Sequence, residues 1–146
     1  MSEARTQMAK ALKAVVVPAL RDHGFAGSFP YLRRTRENYI ELLMFQFDRH
    51  GGGFIIELGR CTPADFAAPW AKITSPDKVT VAHLPWRQRT RIQPSVGSGT
   101  ESWFRFDTAT TGDDFSHVAQ SVLPFIETIE RTFHEFDQVN KCGEVA

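Results

Sequence analysis

NYIELLMFQFDRHGGGFIIELGR, residues 38 to 60, is the stretch whose reading decides the fold. Two β-rich runs flank His50-Gly51-Gly52-Gly53, which predicts a β-hairpin with strands at 39 to 48 and 54 to 60. Side chains alternate along a strand, so Tyr39, Glu41, Leu43, Phe45 and Phe47 share one face, and Ile40, Leu42, Met44, Gln46 and Asp48 the other. In the partner strand Phe54, Ile56 and Leu58 lie opposite Ile55, Glu57 and Gly59. Both faces are mainly apolar, so the rest of the chain has to supply cover on both sides.

Two amphipathic segments are available for that. Over residues 3 to 23, Met8, Ala11, Leu12, Val15, Val16, Ala19 and Leu20 recur at three- and four-residue spacing, one helical stripe. Ser2 is placed to cap this helix, Arg5 and Lys10 point outward, Pro18 predicts a kink, and Gly24 stands where a left-handed C-cap belongs, followed by Phe25. Near the C-terminus, Thr111-Gly112-Asp113-Asp114 starts a second helix whose acids suit its N-terminal dipole. Phe115, Val118, Ala119, Val122, Ile126, Ile129, Phe133 and Phe136 carry its stripe to about residue 138, with a kink expected at Pro124.

Three further strands read from the pattern: SFPYLRRT at 28 to 35, WRQRTRIQ at 86 to 93 and ESWFRFD at 101 to 107, the last two joined by a turn at PSVGSGT. Residues 61 to 84 are irregular, punctuated by Pro63, Pro69 and Pro76, with a helical turn around Phe66 and Trp70. A stretch of that length is often a covering or functional loop. The order helix, three-strand meander, irregular loop, two strands, helix indicates an α+β fold: an antiparallel sheet of about five strands with the N-terminal and C-terminal helices packed on one face. At 146 residues this is a single domain spanning 1 to 146. It is large enough to bury roughly 70% of its unfolded surface without a disulfide or metal.

Charge and cysteine content narrow the function classes. Net charge is zero, which gives no global attraction to nucleic acid or to a membrane surface. Cys61 and Cys142 form no metal-binding or redox motif and fit free thiols in a reducing compartment. Cys61, His83 and Asp65 are the one set able to gather round a metal, but not at zinc spacing, and neither metal nor cofactor is expected. The N-terminus MSEARTQMAK lacks an apolar core and no apolar run reaches about 18 residues, so a cytoplasmic protein without a membrane span is expected.

The candidate chemistry is confined to a few polar residues among the strands. Arg87, Arg89 and Arg91 alternate and would share a face in a strand, able to hold a phosphate, a carboxylate ligand or an acidic partner, or to pair with Glu41 or Glu57. Gln46 and Glu57 interrupt apolar strand faces and need partners if buried. Trp70, Trp86 and Trp103 read as core or rim packing, although large aromatics beside Arg are favoured at interaction hot spots. His50-Gly51-Gly52-Gly53 is a hairpin turn rather than an esterase oxyanion loop, because no GxSxG elbow is present. No nucleophile with a base is visible.

The order of motifs resembles the bacterial family catalogued as domain of unknown function 4304. The residues that carry the resemblance are Gly24-Phe25 at the end of the first helix and Phe29, Tyr31 and Arg33 in a strand. Phe45-Gln46, Phe54 to Gly59, Arg89 and Arg91, Glu101 with Trp103-Phe104, and Leu123-Pro124-Phe125 follow in that order. The chain departs at Glu57, where an amide is more frequent, and at Phe104, where a second Trp is common. The resemblance covers about 5 to 135 and implies a fold but no reaction.

The leading expectation is therefore a small non-catalytic interaction module, with a protein partner or a homodimer covering Ile40, Leu42, Met44 and Ile55 unless the 61 to 85 loop does so. The alternative is a pocket for a small molecule or anion, with or without catalysis, formed by Gln46, Glu57, Arg87, Arg89, Arg91 and Trp103. A third reading is an immunity-like or phage-defence protein that meets a basic target through Asp113, Asp114, Glu127, Glu130, Glu135 and Asp137.

Overall fold

The computed structural model describes residues 2–62, 78–94 and 103–145, the side chains of 137–145 excepted. Asp65, the expected turn around Phe66 and Trp70, and positions 95–100 lie outside the described residues. Helix α1, Glu3–Asp22, begins where Ser2 accepts a hydrogen bond from the Arg5 amide at 3.1 Å. It continues through Pro18 and stops at Gly24, whose φ of +94° only glycine adopts without strain. The Gly24 and Phe25 amides then bond back to the carbonyls of Arg21 and Leu20, which turns the buried Phe25 into the core.

Six antiparallel strands follow in the order β1-β2-β3-β4-β5, with β6 also on β4. They are β1 Ala26–Ser28, β2 Tyr31–Thr35, β3 Ile40–Phe47, β4 Gly53–Cys61, β5 Arg89–Ile92 and β6 Phe104–Arg105. The central hairpin lies within a residue of its expected bounds, in a register that places Leu43 opposite Leu58 and Phe45 opposite Ile56. The expected strand at 28 to 35 is instead two strands folded back at Phe29-Pro30.

Two expectations for the second half of the sheet need correction. The segment 86 to 93 is strand only from Arg89; Trp86–Gln88 forms a 3-10 turn set off by Pro85, so Arg87 is exposed and shares no strand face with Arg89 and Arg91. Nor do β5 and β6 form a hairpin. Both pair with the same edge of β4 and run in the same direction, Ile92 beside Ile56 and Phe104 beside Phe54. They are two pieces of one interrupted strand.

The C-terminal helix is likewise two: α2, Gly112–Gln120, and α3, Phe125–Val145. Pro124 has no N–H to donate and its ring crowds the carbonyl of Gln120, so the chain closes with tighter bonds, such as Val122 to Ala119 and Phe125 to Val122. The three helices cover one sheet face. Met8, Leu12, Val16 and Leu20 of α1 meet Phe115 and Ala119 of α2, Ile129 and Phe133 of α3, and Leu43, Phe45, Phe54, Ile56 and Leu58 of the hairpin in one core. Phe54 and Phe104 stack at 5.1 Å within it. Arg5 does not point outward as its position suggests: it donates to the Asp48 carbonyl at 2.7 Å and lies over the Phe47 ring, tying the first turn of α1 to the hairpin. Among the described residues no helix is long and apolar enough to cross a membrane.

One end of this core is polar and closed. Arg34, only 7% exposed, donates to Glu41 at 2.6 Å and to the His23 carbonyl at 2.8 Å, and pairs with Glu130 at 2.7 Å. Its guanidinium lies 4.4 Å from the centre of the Phe25 ring. One side chain thereby joins the end of α1, two strands and α3. Burial pushes the Glu130 carboxyl up, but the hydrogen bond and charge of Arg34 outweigh this and hold it below the usual range. Arg36 adds a second bond to Glu41 at 3.1 Å.

Removing Glu41 leaves Arg34 buried without its strand partner. Glu41→Ala is expected to cost about 3–5 kcal/mol in urea unfolding, whereas an exposed control such as Glu37→Ala stays near zero. At the start of α2, the Asp114 carboxylate accepts bonds from the amides of Thr110 and Thr111, which lower its pKa from 3.8 to about 2. A carboxylate held low stabilises the fold above its unfolded pKa and loses that contribution as pH falls through the folded one. Asp114→Ala should therefore lower the Tm at neutral pH, with the gap to wild type closing between about pH 4 and pH 2.

Candidate functional site

The sheet face turned away from the helices is divided into an apolar half and a polar half. In the apolar half Ile40, Leu42, Met44 and Cys61 are buried beneath Val79, Val81 and Leu84. The segment holding those residues turns through a 3-10 bend, Val81–His83, that is closed when His83 Nδ1 accepts from the Thr80 amide at 3.0 Å. Gly59 makes the close fit possible: a Cβ there would overlap the Leu84 Cδ1 methyl. Arg89 fixes the segment to the sheet, donating to the Leu84 carbonyl at 3.1 and 2.9 Å and to the Ala82 carbonyl at 3.0 Å. The apolar surplus of the hairpin is thus largely covered from within the chain.

The polar half is centred on Glu57, 4% exposed and directly across from Arg91 in the neighbouring strand. Its carboxylate lies 3.5 Å from Arg89 and 3.9 Å from Arg91. The Arg91 guanidinium is 5.9 Å from the Trp103 ring, and the Trp103 Cβ rests in the space that a side chain at Gly53 would fill. Gln46 is diagonal to Glu57 on the same face, since Met44 pairs with Glu57 and Gln46 with the fully buried Ile55. No donor among the described residues reaches the buried Gln46 Oε1.

Five of the six residues singled out in the sequence therefore meet on one face: Gln46, Glu57, Arg89, Arg91 and Trp103. Arg87 does not join them. Glu41 belongs to the opposite face and pairs with Arg34 and Arg36 rather than with the arginines of β5. The cover made by Val79–Leu84 comes from the 61 to 85 stretch named as one possible source, while the clamp made by Arg89 escapes a sequence reading. The signal for the cover is the run VTVAHLP, but only the glycine at 59 hints at where it lands. Trp86 is not packed in the core; it is 78% exposed at the rim.

The described residues bring together no group of three metal-ligating side chains. The arrangement sets the acceptors of Gln46 and Glu57, two guanidiniums and an indole on one sheet face. Residues 16–134 match the family described as Domain of unknown function (DUF4304). The chain belongs to this family. The match takes in the whole sheet, α2, the last turns of α1 and the first turns of α3, so the divided face lies within the family domain. No curated protein and no solved structure matches the sequence.

The fit at Gly59 is directly testable. Gly59→Ala should destabilise the protein by about 1–3 kcal/mol through overpacking. Adding Leu84→Ala should recover part of that loss while costing stability in the wild-type background, a sign reversal that a double-mutant cycle reads in urea unfolding.

Proposed function

We propose that this DUF4304 domain is a non-catalytic binding module of the cytoplasm that holds a small polar ligand on the polar half of its second sheet face. The observation that carries this reading is the loose pairing of Glu57. The same sheet closes Glu41 onto Arg34 at 2.6 Å, a structural ion pair with full contact. Glu57 is equally removed from water, yet its two guanidiniums stand at 3.5 and 3.9 Å, beyond the usual charge-assisted distance of about 2.7–2.9 Å. A carboxylate buried that way has hydrogen-bonding capacity left for something else. The burial of Cys61 in the apolar half is consistent with a structural role for its side chain.

A protein partner or a second copy is the other reading, favoured by Trp86 and by the 41% exposed Tyr31, residue types common at interaction hot spots. The covering of Ile40, Leu42 and Met44 removes the apolar area that otherwise recommends it.

A fragment library screened by nitrogen–proton correlation spectra distinguishes the two. Hits should move the backbone amides of Ile55 and Glu57, the Gln46 side-chain amide and the Trp103 indole together. Hits that leave these signals in place sink the proposal. Line widths that grow with protein concentration, with Trp86 and Arg87 shifting instead, favour self-association.

A further inference from the structure

Taking the polar half as a binding face, we infer that its ligand is a neutral molecule presenting N–H donors along one edge, of the carboxamide or urea class, and not a simple anion. The anion reading relies on the arginines, but Arg89 has spent its Nε and one terminal nitrogen on the carbonyls of Leu84 and Ala82. Its other terminal nitrogen faces Glu57, which also stands beside Arg91. A second anion placed here would adjoin the Glu57 carboxylate and be repelled by it.

The unmet capacity on this face belongs to acceptors. Gln46 Oε1 is buried with no donor among the described residues, and the nearest guanidinium nitrogens to the Glu57 carboxylate stand at 3.5 and 3.9 Å. The two acceptors belong to diagonal positions of adjacent strands on one face, a spacing of about 7–8 Å that long side chains can narrow. A cation would satisfy acceptors too, but Glu57, Arg89 and Arg91 together carry one net positive charge. A neutral donor edge meets the acceptors without opposing that charge, and Trp103 offers an aromatic wall beside it. Leaving a buried acceptor unpaired is costly, which is also how such a site rejects analogues that lack the N–H.

Benzamide, benzoate and benzylamine, protonated at neutral pH, share one ring and differ in this edge alone. Each is titrated into the full chain and followed by nitrogen–proton correlation spectra. Benzamide should shift the Gln46 side-chain amide and the Trp103 indole, binding at least about tenfold more tightly than the other two. Gln46→Met removes the acceptor at similar length; it should weaken benzamide about tenfold and, by relieving an unpaired buried oxygen, raise the Tm. Preference for benzoate or for benzylammonium at the same signals overturns the donor class and leaves the binding face standing. If none of the three moves those signals, the donor class is overturned, and fragment hits that also avoid this face then overturn the binding reading as a separate result. A Gln46→Met protein that binds benzamide as wild type does overturns the role of Gln46.

Discussion

A strand that is buried on both faces has no side to give to water. Antiparallel sheets usually keep one face solvated, yet β3 and β4 are buried along nearly their whole length. That single constraint organises the molecule. Three helices serve one face with a continuous core rich in phenylalanine. Among the described residues the other face is met by a short segment, Val79–Leu84, which depends on Gly59 for its approach and on Arg89 for its anchorage.

Charged side chains inside such a sheet have to be resolved locally, and the two faces do so differently. Arg34, Glu41 and Glu57 are the buried charged residues among those described. Beneath the helices, Arg34 and Glu41 close on each other and on a helix end, and the result is a tie between elements distant in sequence. On the other face Glu57 is approached by two guanidiniums at 3.5 and 3.9 Å. Arg89 is bound to the covering segment and Arg91 lies near Trp103. The first arrangement is a closed ion pair and the second a wider one.

Much of this was readable in the residues, for reasons that are local. The hairpin followed from strand alternation, the ends of α1 from Ser2 and Gly24, and the start of α2 from Thr111 and Asp114. The convergence of Gln46, Glu57, Arg89, Arg91 and Trp103 followed partly from alternation and partly from the pairing of β5 with β4. What was missed depends on contacts that no short window contains. Ala26–Ser28 has no apolar period to mark a strand. A glycine- and serine-rich connection between two strand-like runs looks like a hairpin, and only the shared edge of β4 shows β5 and β6 to be collinear. Pro124 was expected to bend a helix, but the short turn from Ser121 to Pro124 divides it.

The interruption of that outer strand bears on edge-to-edge association between chains. Long apolar strands such as β3 and β4 are the kind that recruit other chains edge to edge when their ladders are open. Among the described residues neither margin of the sheet offers a long continuous ladder: one ends in the three residues of β1, the other in four residues of β5 and two of β6, in line but separated in sequence. Short, broken margins are poor templates for fibril growth. The same break that hides the topology from a sequence reading shields an amyloid-prone hairpin at the centre of the fold.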